Sequence, residues 1–159
     1  MLRSVTRAAH PIVAAAFVAC AVVQIFLAGL GVFDDPRAFV THREFGYLFG
    51  WLTLAVLVLA LAGRMPRRVT GLSGLLLVLF AVQSVLVAVR ADWPMIAALH
   101  PLNGFAVLGV GVMTTRSSWR LRRASASTPS ARVPSAARVT APPPAPIASI
   151  PLLAPDEAR

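Results

Sequence analysis

Four apolar stretches, at about residues 11–33, 42–62, 71–89 and 101–119, set the terms on which this chain can fold. A hydrocarbon core about 30 Å thick is crossed by roughly 20 helical residues at 1.5 Å each. No water reaches the backbone at that depth, so each stretch must satisfy its own N–H and C=O groups, and short connections leave only helices able to do so. The pattern therefore predicts an all-α membrane protein, a four-transmembrane-helix bundle made of two tandem helical hairpins. Composition agrees: 57% of residues are hydrophobic and 13% charged, far more apolar than a soluble domain. The first stretch follows a basic start, as a secretory signal does, but it is longer than the apolar core of about 7–15 residues that such signals carry. It is read as an anchor. Thr41 and Glu44 stand at capping-box spacing ahead of the second stretch.

The charge of +9 comes entirely from arginine, since no lysine is present. Those arginines adjoin apolar runs and do not line one face of a soluble module, which excludes the usual nucleic-acid footprint. Arg3, Arg7, Arg64, Arg67, Arg68, Arg116, Arg120, Arg122 and Arg123 flank the spans on one side. Arg37, Arg43 and Arg90 flank them on the other, with Asp34, Asp35, Glu44 and Asp92. The positive-inside rule then puts both termini in the cytoplasm of a protein of the cell's inner membrane. The single cysteine, Cys20, has no partner for a disulfide and reads as a small core residue. Residues 124–159 change to Ala, Ser and Pro, a composition that predicts a disordered cytoplasmic tail.

Within the spans, one pattern occurs twice. Gln24, Pro36, His42 and Gly46 are matched by Gln83, Pro94, His100 and Gly104, with six residues from proline to histidine and four from histidine to glycine in both copies. Both copies begin on the arginine-rich side, so they read as parallel repeats about a pseudo-two-fold axis along the membrane normal. That symmetry places His42 and His100 at one depth near the outer ends of their helices, with Gln24 and Gln83 in the same leaflet. Polar side chains within a membrane are functional candidates by default. Two imidazoles across a bundle, each with a glycine one turn on, are what a bis-histidine b-type haem needs: an axial nitrogen from each side and room for a flat macrocycle. Such a haem would carry single electrons to a membrane redox partner or quinone. The same residues also suit blander roles, with histidines capping helix starts, glutamines bonding between helices and glycines allowing close packing.

Two resemblances bear on these residues. The run Gln24-Ile25-Phe26-Leu27-Ala28-Gly29-Leu30-Gly31, the His42 to Gly46 start, Gln83 and His100-Pro101-Leu102-Asn103-Gly104 resemble an uncharacterised family of small four-span bacterial membrane proteins, a domain of unknown function. The layout is also similar to one half of haem A synthase, in which a glutamine-bearing helix precedes a helix with His-Arg near its outer end. His42-Arg43 matches that pair, and His100 matches the second histidine by position. The acidic residue that precedes the synthase histidine has no counterpart near Thr41, and one half is missing. The first resemblance implies a fold and a membrane location, the second a haem. Beside the haem reading stand a cofactor-free accessory subunit that holds a lipid, quinone or partner helix, and a small transporter, whose parallel-repeat plan is also known. No reaction is specified by these residues.

Overall fold

The computed structural model describes residues 1–127. They form four long helices, α1 (Leu2–Phe33), α2 (Ala38–Ala62), α3 (Arg67–Ala88) and α5 (His100–Ser127), with a one-turn helix α4 (Pro94–Ala97) before the last. There is no strand among the described residues. Each of the four long segments is long and apolar enough to cross a membrane, and the protein is a multi-pass membrane protein. The helices close into a ring in chain order: α1 packs on α2 and α5, and α3 packs on the same two. Contacts between helix ends, such as Gln24 with His42 and His10 with Ser118, make neighbours antiparallel.

Helix boundaries depart from the apolar pattern at several points. α1 starts at Leu2, so Pro11 lies inside it and does not open it. Pro11 deprives one carbonyl of its intrahelical donor, a loss that membrane helices tolerate where neighbours surround the site, and Pro11 is fully buried. α2 starts at Ala38, which leaves Thr41 and Glu44 within the helix, so the expected capping box does not form. The preceding turn is instead held by Asp35, whose Oδ1 accepts from the backbone N–H of Arg37 at 2.9 Å. α5 runs on through residues 124–127. The rest of the expected tail lies outside the described residues.

The turn between α2 and α3 shows how tightly the arginine-rich end is tied. Arg64 takes a left-handed φ of 46°, and the Met65 N–H reaches back to Ala60 O at 2.9 Å, the pattern of a left-handed helix stop. From α1, Arg7 donates to Gly63 O at 2.8 Å and to Arg64 O at 3.0 Å. These bonds engage carbonyls that the end of α2 leaves without helical donors.

The middle of the bundle is built on aromatic rings. Phe17 is fully buried and lies 5.4 Å from Phe49 and 6.2 Å from Phe80, centroid to centroid. Phe49 in turn meets Phe80 and Phe45, each at 5.4 Å. Glycines admit these rings: a Cβ on Gly50 would stand 2.5 Å from Phe80, and one on Gly111 3.3 Å from Phe17. Large apolar side chains face outward as well, Leu48 and Trp51 at 71% exposure each, as expected where lipid rather than water covers the surface.

Candidate functional site

His42 and His100 come together at the end of the bundle opposite the arginine-rich turn, one from α2 and one from α5, across the diagonal of the ring. Their ring centroids are 6.3 Å apart, with planes inclined at 67°. Both are part-exposed. In each hairpin the histidine bonds to the same atom of its glutamine. His42 Nδ1 lies 3.0 Å from Gln24 O, and His100 Nδ1 lies 3.2 Å from Gln83 O. A carbonyl only accepts, so both Nδ1 atoms carry the proton and both Nε2 atoms present a lone pair. Neither imidazole caps its own helix; His42 reaches back to α1 and His100 to α3.

Beyond that shared contact the two hairpins differ. Gln83 Nε2 donates to His100 Nε2 at 3.2 Å, whereas Gln24 Nε2 donates to the backbone oxygen of His42 at 2.7 Å. Asn103, three residues after His100, donates through Nδ2 to Leu79 O and to Gln83 Oε1. Phe45 holds the corresponding place after His42, and it has no donor to offer. Gln24 Oε1 is accordingly buried without a hydrogen-bond partner. The glycines also have a local reason. A Cβ on Gly46 would stand 2.9 Å from Gln24 Nε2, and one on Gly104 3.3 Å from Gln83 Nε2. Each glutamine amide crosses its helix at the glycine, so those two faces are occupied by amides.

The most deeply buried polar cluster lies elsewhere, at the arginine-rich end. His10 on α1 is fully buried, as are Ser73 on α3 and, to within 1%, Ser118 on α5. Ser73 Oγ is 3.2 Å from His10 Nε2 and 2.9 Å from Val69 O. Ser118 Oγ is 2.9 Å from His10 Nδ1 and 2.8 Å from Thr114 O. A neutral imidazole and two hydroxyls carry three protons for those four contacts, so one serine must turn from its own helix towards the ring. Sequence reasoning passed over this cluster because His10 has no counterpart in the repeated pattern. Its signal was the face it shares: His10, Ala14, Phe17 and Ala21 recur at helical spacing, and all four are buried.

A shallow concavity of about 300 Å³ runs beside the histidine end, lined by Val82, Leu86, Leu99, Leu102, Asn103 and Ala106. No group of three or more metal-ligating side chains occurs among the described residues. No curated protein and no solved structure matches the chain. Residues 24–90 match the model of DUF6220, a family of unknown function, so the expected resemblance to an uncharacterised family is found over a stretch that includes Gln24, His42, Gly46 and Gln83 and ends before His100.

Proposed function

We propose that the histidine end of the bundle binds one b-type haem, with His42 and His100 as axial ligands, and that the protein passes single electrons within the membrane. The observation that carries this reading is the paired Nδ1 contact to a glutamine carbonyl. Histidines that ligate metals nearly always donate their other ring N–H to such a group, which fixes the tautomer and aims the second nitrogen. Two protein ligands alone make a poor site for a bare ion, whereas a porphyrin brings four nitrogens of its own and asks the chain for two. Amides fill the faces of Gly46 and Gly104, so only the part-exposed side of the pair would be open to a haem. Ligation also requires the Gln83 amide to leave His100 Nε2. Arg43 and Arg90, exposed at this end, suit the propionates. Bound there, a haem would supply one-electron chemistry.

The repeated contact also supports reading α1–α2 and α3–α5 as two copies of one hairpin. The arginine distribution supports a cytoplasmic position for the opposite end, in the inner membrane.

The decisive measurement is a reduced-minus-oxidised visible spectrum of the full chain, purified in detergent from cells supplied with haem. A haem band in the parent protein, absent from both His42→Ala and His100→Ala, is the expected result. A parent protein without any band refutes the proposal. A second reading, a cofactor-free site for a quinone or lipid, rests on the apolar concavity beside Asn103 and on the unpartnered Gln24 Oε1, which a ligand hydroxyl would satisfy. Quinone recovered by solvent extraction from a haem-free preparation would favour it.

A further inference from the structure

Arg116, Arg120 and Arg123 on α5 fall at helical spacings of four and three, so they share one face with Trp119. Together they line a concavity of about 440 Å³. Ser118 and Thr114, on the opposite face of the same helix, are buried in the bundle, so the arginine face looks away from it. Arg116, Arg120 and Arg123 are exposed, and the single ion pair among the described residues joins Arg37 to Asp35 at the other end. Arg122 lies over the Trp119 ring, its guanidinium carbon 5.1 Å from the ring centroid.

The depth of this face is set by the helix itself. At about 1.5 Å per residue, Arg116 to Arg123 lie roughly 24–35 Å along α5 from His100, the far boundary of a hydrocarbon core about 30 Å thick. Phosphates of the lipid headgroups lie at that boundary. One to three turns deeper, the same face is apolar and open. Met113 and Phe105 are exposed at 48% and 64%, and nothing stands within 4 Å of a Cβ built on Gly109 between them. A cationic cup over an apolar lane with a notch matches one kind of molecule, a charged head on an acyl chain.

We infer that this face of α5 is a binding site for an anionic glycerophospholipid, with the phosphate held by Arg116, Arg120 and Arg123 and an acyl chain lying along Met113, Gly109 and Phe105. Basic pockets on the cytoplasmic side of membrane helices recognise acidic headgroups through such charge-assisted bonds. The inference does not depend on haem binding at the opposite end.

The test uses the full chain in detergent, with phosphatidylglycerol and phosphatidylcholine of equal chain length as competing probes and native mass spectrometry as the readout. Phosphatidylglycerol should be retained preferentially, and the triple variant Arg116→Gln, Arg120→Gln, Arg123→Gln should lose that preference by about tenfold or more. A control triple variant at Arg64, Arg67 and Arg68 removes the same charge from the α2–α3 turn and should keep it. Gly109→Leu fills the notch and should weaken lipid binding with every arginine in place. Equal retention of the two lipids overturns the inference, as does equal loss in the two triple variants, which would mark a diffuse charge effect. Displacement of the lipid by millimolar inorganic phosphate in proportion to its charge would identify a free-anion site instead. Thermal unfolding of each variant, expected to match the parent, shows that the fold is intact.

Discussion

His10 joins three helices through two hydroxyls, and its removal separates what holds the fold from what the histidine pair does. Truncation to alanine leaves Ser73 and Ser118 bonded to Val69 O and Thr114 O, so no hydroxyl is orphaned. The loss is the ring's packing and the tie between α1, α3 and α5. On the scale of large-to-small core substitutions, His10→Ala should cost about 2–4 kcal/mol, read as a lower thermal midpoint by circular dichroism in detergent. His42→Ala and His100→Ala remove part-exposed rings and should move the midpoint much less. An unaltered midpoint for His10→Ala would show that the buried cluster contributes nothing to stability. The sequence made the opposite ranking natural, because His42 and His100 recur with glutamine and glycine while His10 stands alone. Its partners, Ser73 and Ser118, sit 63 and 108 residues away, and no local spacing announces them. Asn103 was in plain view within His100-Pro101-Leu102-Asn103-Gly104, yet its role depends on which way α5 is turned towards Gln83.

Helix rotation also decides what each glycine is for. Four helices and their order follow from run length and from the Asp, Pro and Arg punctuation, although α1 begins well before Pro11 and α5 runs past the apolar stretch. Rotation does not, because lipid and core are both apolar and hydropathy fails to distinguish the two faces. Gly50 and Gly74 illustrate the consequence. Both sit within apolar helices and look alike in the chain. Gly50 receives Phe80, with a built Cβ only 2.5 Å from the ring, whereas nothing comes within 4 Å at Gly74. Gly50→Ala should therefore force Phe80 and its neighbours Phe17 and Phe49 apart, an overpacking cost of about 1–3 kcal/mol. Gly74→Ala should be neutral or stabilising by up to about 1 kcal/mol, the helix propensity gained. Thermal midpoints of the two variants give the comparison directly. Adding Phe80→Leu to Gly50→Ala should recover part of the loss, because residues in contact couple. Equal effects at the two glycines would contradict the packing described for α2 and α3.

Across the described bundle, the two ends differ sharply in charge. The arginine-rich end carries Arg3, Arg7, Arg64, Arg67, Arg68, Arg116, Arg120, Arg122 and Arg123, while every acidic group among the described residues lies at the histidine end or in its loops. Translocation disfavours short basic loops, and the turn between α2 and α3, with three arginines in a few residues, is the strongest such signal here. The chain's one cysteine makes the orientation directly measurable. Cys20 lies within α1 against the aromatic core, so Cys20→Ala should leave the fold in place and clear the background. In that protein, cysteine introduced by Asp92→Cys should react with a membrane-impermeant maleimide in intact spheroplasts if the arginine distribution sets the orientation as proposed, with the loop before α4 outside. Cysteine introduced by Arg67→Cys should react only after permeabilisation. The reverse pattern would invert the assignment, and would move the α5 arginines to the outer leaflet and the histidine pair to the cytoplasmic side. Replacing Arg64, Arg67 and Arg68 together with glutamine tests the cause: if these three hold the orientation, a fraction of the Asp92→Cys protein should become inaccessible from outside. If accessibility does not change, the other six arginines suffice to set the orientation.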